Sequence, residues 1–192
     1  MISDEELLDR SLEGDRDAFE SVAARYRERI FRYLITMVGD EAQTEDLVQE
    51  TFRRAWTKLA DFERRSKFLW WLYRIAVNLT RNFFRDRANR ARLDDKVRQE
   101  RGPDLVRRKS VLSSVVRHEL AGMISLAVDR LPETLREAFA LHHVEGLDYN
   151  AVAEIAGIPV THVRVRVHRA ATMLRDQLGD EVDSFWTEPR ET

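Results

Sequence analysis

Between Thr44 and Leu59 the apolar side chains return at a spacing that only a helix can bury. Leu47/Val48, Thr51/Phe52, Ala55/Trp56 and Leu59 form one stripe of a helix with about 3.6 residues per turn. Thr44 is the expected cap, which puts Glu45 and Asp46 in the first turn, where the helix dipole favours negative charge. The opposite face is acidic. Asp40, Glu41, Glu45, Asp46 and Glu50 lie there with no lysine or arginine among them. Such a face is either a solvated surface or a docking face for a basic partner.

The same periodicity runs along most of the chain, and 7 glycines and 4 prolines in 192 residues leave few places to break it. Residues 4–13 read as a short helix. A longer one follows with Phe19, Val22, Ala23, Tyr26, Ile30, Leu34 and Val38 inside, stopped by Gly39-Asp40. After the acidic helix, Asp61–Lys67 is a polar connection, and Ser66 is the expected cap of a helix from Phe68 to about Arg90. Its buried face takes Trp71, Leu72, Ile75, Leu79 and Phe83. Pattern fades from Ala91 to Glu119, with a break at Arg101-Gly102-Pro103-Asp104.

Order returns with Leu120, Met123, Ile124, Ala127 and Leu131 on one face, then Pro132-Glu133, whose proline suits a helix start. Leu135, Phe139, Leu141 and Val144 continue to Gly146, a C-cap, before a helix over Tyr149–Ala156. The turn Gly157-Ile158-Pro159 and a last helix, Val160–Leu178, complete the ordered part. The expected fold is therefore all-α. Two small helical domains, 1–90 and 120–178, hang as compact lobes on a partly helical, flexible linker, 91–119, with an acidic tail at 179–192.

Composition closes several routes. Without cysteine there is no disulfide, thiolate nucleophile or cysteine zinc site, which suits a reducing cytoplasm. The acidic amino terminus is no signal peptide, and no apolar run approaches the ~20 residues of a membrane span. His142-His143-Val144-Glu145 is the one acid–base cluster. Neighbouring histidines on a helix diverge by about 100°, so one is expected in the core and one in solvent, with no metal between them. No Gly-rich phosphate loop or nucleophile motif accompanies them, so neither an enzyme nor a cofactor nor a small-molecule substrate is expected. The net charge of −2 hides a segregation: Arg74, Arg81, Arg85, Arg87, Arg90 and Arg92 face Asp86 alone between residues 74 and 92.

Two helices joined by a short glycine-containing turn, the second basic, are the arrangement of a DNA-reading helix-turn-helix, or else a plain helical hairpin with a solvated basic face. The second would bury Val163, Val167, Ala170, Ala171, Leu174 and Leu178. Thr161, His162, Arg164, Val165, His168, Arg169 and Thr172 would then point outward. Val163–Arg169 alternates like a strand, but the alternation stops at Ala170 while the spacing of four runs on to Leu178. Arginines there suit guanine edges or phosphates, and Val165 a thymine methyl.

Three motifs in register make the chain resemble the bacterial RNA polymerase sigma factors of the extracytoplasmic-function (ECF) group, within the sigma-70 family. They are Glu45-Asp46-Leu47-Val48-Gln49-Glu50-Thr51-Phe52, then Phe68–Asn78, then a third in pieces. The pieces are Leu131-Pro132-Glu133, Glu145-Gly146-Leu147-Asp148-Tyr149 and Val163–Ala170.

The resemblance implies a factor that binds core RNA polymerase and directs promoter recognition and transcription initiation. Asp46, Gln49 and Glu50 would contact the polymerase clamp, supported by Leu47, Val48 and Phe52. Lys67, Phe68, Trp70, Trp71, Arg74, Asn78, Arg81 and Asn82 would hold the opened −10 element, which calls for cations, stacking rings and amides. Trp71 falls on the apolar stripe and reads as core, whereas Trp70 lies off it. In a region-4-like, four-helix domain, Thr161, His162, Arg164, Val165, Arg166, His168 and Arg169 would read the −35 element.

Thr161-His162 and Val165 depart from the Gly-Thr and Ser of many members, and Trp70 and Pro159 from a smaller residue and a serine. The −35 sequence read here is accordingly expected to differ. The resemblance also implies an anti-sigma factor that could tether a cytoplasmic protein at the membrane. Self-restraint by the acidic tail (Asp180, Glu181, Asp183, Glu188, Glu191) over the basic helix is another way to hold it idle. A stand-alone helix-turn-helix regulator is the alternative reading, but it accounts for residues 129–178 only.

Overall fold

The computed structural model describes residues 2–64, 66–98 and 124–178, and among these there is no strand. Helix α1 (Asp4–Leu12) is capped by Ser3 and α2 (Arg16–Val38) by Asp15, whose carboxylate accepts from the Ala18 amide at 3.0 Å. Arg10 of α1 pairs with that same Asp15, so one carboxylate both caps α2 and ties it to α1. Gly39 ends α2 at φ 71°. A Cβ at this position would stand 3.1 Å from the Asp129 carboxylate, so both conformation and space require glycine.

Helix α3 (Glu41–Thr57) begins four residues earlier than the Thr44 cap implies. Asp40 is the cap, accepting from the Gln43 amide at 2.8 Å, while Thr44 is buried and donates to the Asp40 carbonyl. An Asp directly after a left-handed glycine caps sooner than a threonine further on. Glu45 and Asp46 thus stand in the second turn.

A 3-10 turn (Leu59–Asp61) leads to α4 (Phe68–Arg98), which continues past the expected end near Arg90. Its first amides bond the Lys67 carbonyl, which leaves Ser66 outside the cap position. Phe62, Phe68 and Trp71 close the amino end of α4 with ring centroids 5.3–5.6 Å apart.

In the second half, α5 (124–129) precedes Pro132, which sits at the cap position of α6 (Glu133–Phe139) rather than inside it. Its carbonyl takes the first helical bonds, from the Leu135 and Arg136 amides. Helix α6 runs into a π segment, Ala140–Val144, and reverses at Gly146. Asp148 caps α7 (Tyr149–Ala156), Gly157 turns the chain at φ 69°, and α8 (Val160–Leu178) follows. The strand-like alternation in α8 yields to burial: Val163, Val167, Ala170 and Leu174 are inside at helical spacing.

The two halves do not hang apart. Ile30, Tyr33, Val48, Leu72 and Tyr73 of the first belong to one apolar cluster with Leu141, Val152, Ile155 and Val163 of the second. Burial of α6 and α7 residues against α2 and α4 outweighs independence of two small lobes. A smaller cluster, Ala127, Val128, Leu131, Phe139, Ala170 and Leu174, lies within the second half. Leu120, Met123, most of the linker and the acidic tail lie outside the described residues.

Candidate nucleic-acid interface

Helix α3 separates its residues cleanly. Val48, Thr51 and Ala55 are buried, Leu47 and Phe52 half-buried, and Asp46 and Gln49 exposed. The acidic face is partly neutralised by its own surroundings. Arg53 and Arg54, one turn on, hold Glu50 at 2.6 Å each, and Arg27 of α2 holds Glu45 at 2.5 Å. Their hydrogen bonds, Arg53 first, push the Glu50 carboxyl down to about 2. Among the described residues Asp46 has no side-chain ion pair or hydrogen bond. Its charge is available to a partner.

Helix α4 has two faces. Phe68 and Trp71 are buried, 6% and 8% exposed, which makes them support rather than surface. Lys67 and Asn78 are exposed, and Trp70, Arg74 and Asn82 half-buried. Lys67, Trp70, Arg74, Asn78 and Arg81 recur at three or four residues, so they form one stripe. The Lys67 ammonium sits 5.4 Å from the centre of the Trp70 ring. This couples a cation to a half-open aromatic, the pairing that single-stranded bases stack on. At the far end Arg81 is occupied. It forks onto Glu137 at 2.7 and 2.9 Å and donates to the Ala156 carbonyl at 2.9 Å. The Glu137 bond raises the Arg81 pKa further above its ordinary value.

On α8 the outward residues Thr161, His162, Arg164, Val165, His168 and Arg169 are exposed, and Arg166 is half-buried. Val165 is 49% exposed, on the same outward face as the arginines. The Arg164 guanidinium lies 5.3 Å over the Tyr149 ring of α7.

The histidines depart from expectation, since neither is in solvent. His142 is buried, stacked on Tyr149 at 4.4 Å, with Nδ1 2.7 Å from the Leu147 carbonyl. His143 is half-buried against Phe139, and burial, with His142 beside it, pushes its pKa down to about 4. The π turn changes the angle on which an α-helical reading relied. Among the described residues no group of His, Asp or Glu could hold a metal ion, and no helix is long and apolar enough to cross a membrane.

Sequence reading missed a second polar cluster. Glu145, which stood in a motif but carried no role, is buried against Arg29, Arg32 and Tyr73 of the first half. Arg29 and Arg32 sit three apart on α2, a paired-cation spacing that was legible. Their partner lies 116 and 113 residues away, beyond any local pattern.

Both halves match known families. The model described as "Sigma-70 region 2" matches residues 22–90, and "Sigma-70, region 4" matches residues 121–174. Over 172 residues the chain is 34% identical to the ECF RNA polymerase sigma factor SigW of Bacillus subtilis, covering 87% of this chain and 92% of that protein. Against the ECF RNA polymerase sigma-E factor of Haemophilus influenzae it is 31% identical, with 92% and 96% covered. Among solved structures it is similar to CnrH in complex with the cytosolic domain of CnrY (TM-score 0.67, 26% identity, 90% and 94% covered). The sigma factor RpoE in complex with the anti-sigma factor NepR from Bartonella quintana shares the fold (TM-score 0.68, 24% identity, 85% and 98% covered).

Proposed function

This chain belongs to the sigma-70 family of bacterial RNA polymerase sigma factors, in its extracytoplasmic-function group, and on that premise we propose which of its surfaces carry out initiation. It binds core RNA polymerase and directs promoter recognition. The stand-alone regulator reading is not favoured, because likeness extends over both halves.

The observation that supports the assignment of surfaces is the exposure of two unspent polar faces on otherwise buried helices. On α3 these are Asp46 and Gln49, backed by Leu47, Val48 and Phe52. On α8 they run from Thr161 to Arg169. The first face is assigned to the polymerase clamp, with Glu50 contributing less because two arginines already hold it. The second is assigned to the major groove of the −35 element, where Arg164, Arg166 and Arg169 contact phosphates or base edges and His162, Val165 and His168 tune the sequence read. The stripe Lys67, Trp70, Arg74 and Asn78 is assigned to the opened −10 strand, with Asn82 beside it and Phe68 and Trp71 as its buried support.

The domains are taken as 1–90 and 120–178. The protein acts as an initiation factor without chemistry of its own, in the cytoplasm, and takes an anti-sigma partner. The similar protein CnrH, solved with the cytosolic domain of CnrY, supports that last assignment.

Run-off transcription with purified core polymerase on a promoter library tests this reading. Discrete starts that depend on the added chain are expected. No association with core and no initiation at any promoter would overturn it.

A further inference from the structure

The interface between the halves contains a carboxylate that neither the polymerase nor the promoter assignment uses. Glu145 ends the π segment, its amide bonded to the Ala140 carbonyl at 3.0 Å, so the last turn swings it back toward the first half. Its side chain is 0% exposed. Arg32 donates to it through Nε at 2.9 Å and Nη2 at 3.1 Å, and Arg29 through Nε at 3.2 Å. The Tyr73 hydroxyl donates at 2.5 Å, and Arg29 also reaches the Glu145 carbonyl at 3.0 Å. A carboxylate taken fully out of water is held only if its lone pairs are met, and here they are. The receptor is asymmetric, however. The side chains of Arg29 and Arg32 keep 36% and 44% of their surface exposed. On separation they rehydrate at little cost, and Glu145 regains water at a chain reversal. Such a contact is specific yet reversible.

We propose that Arg29, Arg32 and Tyr73 form a carboxylate receptor whose occupant in the free chain is Glu145, and that this latch holds the factor closed with one cation of its DNA face tied up. That engagement is direct: in the same interface Arg81, at the end of the proposed −10 stripe, keeps 44% of its side chain exposed but gives its guanidinium bonds to Glu137 and the Ala156 carbonyl. A third link, from Arg136 to the Met37 carbonyl at 2.7 Å, closes the α2 end. Opening releases the Arg81 bonds for a phosphate or a base. The withholding of Arg81 from DNA rests on the function proposed above, whereas the latch itself does not.

The chain has no cysteine, so Ser21→Cys on α2 and Asn150→Cys on α7, both exposed, give unique spin-label sites on the two halves. Pulsed dipolar spectroscopy of the full chain is expected to show one narrow distance. With Glu145→Ala the open population rises by about tenfold or more, giving a long, broad component. Affinity for a single-stranded −10 oligonucleotide, in the absence of core, rises several-fold.

Arg32→Ala, at a half-open side chain, gives the same result with less risk to folding. Arg32→Glu combined with Glu145→Arg restores the narrow distance. A narrow distance unchanged in both Glu145→Ala and Arg32→Ala overturns the latch. Opening with no gain in oligonucleotide binding overturns the withholding of Arg81 from DNA. Failure of the unsubstituted chain to bind core overturns the proposed function and leaves the distances standing.

Discussion

Helices α4 and α8 are both long and arginine-bearing, and the fold treats them oppositely. Along α4, Leu72, Tyr73, Ala76, Val77 and Thr80 are buried, while the exposed Arg81 is bonded to α6 and α7. Along α8 a single stripe, Val163, Val167, Ala170 and Leu174, meets the rest of the second half, and Arg164 and Arg169 are left to solvent. Neighbours on both sides make α4 a scaffold with a partial face; neighbours on one side make α8 a reader. Charge alone does not separate them.

The strongest test of that contrast is to hollow out each helix. Leu72 and Leu174 are both 0% exposed, but Leu72 belongs to the cluster that spans the halves and Leu174 to the one confined to the second. Each change to alanine is expected to cost about 3 kcal/mol. Leu72→Ala should destabilise both halves together, and Leu174→Ala the second half first. Urea unfolding followed by far-UV circular dichroism and by tryptophan fluorescence, in a Trp186→Phe background that leaves Trp56, Trp70 and Trp71, separates the two. A second half indifferent to Leu72→Ala would break the comparison.

Helix α3 sharpens it from outside, because its exposed acid is offered to another protein. Asp46→Arg is expected to weaken binding to core polymerase by more than about tenfold while shifting stability by less than about 0.5 kcal/mol. Labelled-core titration and a melting curve measure the pair. Unchanged affinity would return α3 to the class of solvated surfaces.

On α8, Arg164→Ala and Arg169→Ala should each weaken −35 duplex binding by about 1 kcal/mol, with the salt slope falling by roughly one per lost phosphate contact. Arg74→Ala on α4 should leave duplex binding untouched. Equal losses at Arg74 and Arg169 would erase the distinction between the helices.

Much of this was legible in the residues. The spacing of Val163, Val167, Ala170 and Leu174 identified α8 through its misleading alternation, and the same argument put Trp71 inside and Trp70 off the stripe. Positions fixed by a nearer competitor were not legible. Asp40 took the cap from Thr44 because Gly39 ends α2 one residue before it. Pairings across the chain were also hidden. Arg81 looked as available as Arg74, since Glu137 is 56 residues away, and Glu145 looked like a loop acid until α2 and α4 closed over it.

The smallest effect is expected from acid, and it falls on the side of α8. His143 is pressed against Phe139 and His142, and its folded pKa of about 4 lies below the ordinary 6.5. Between those values the unfolded chain binds the proton and the folded one does not, so stability is full above pH 6.5 and falls as pH drops toward 4. Screening at this half-buried site reduces the loss to about 1–2 kcal/mol. Glu50 acts in another window. Its carboxyl is held down to about 2, so its ion pairs stabilise above pH 4.5 and weaken only below it. Around α4, burial drives the phenols of Tyr33 and Tyr73 upward, so neither titrates in acid. Urea unfolding at pH 7 and pH 5 should therefore differ for the unsubstituted chain and for Arg53→Ala, and coincide for His143→Phe. If His143→Phe keeps the full pH 7 to 5 difference, the buried imidazole is not its source, and acid does not distinguish the α8 side from the α4 side.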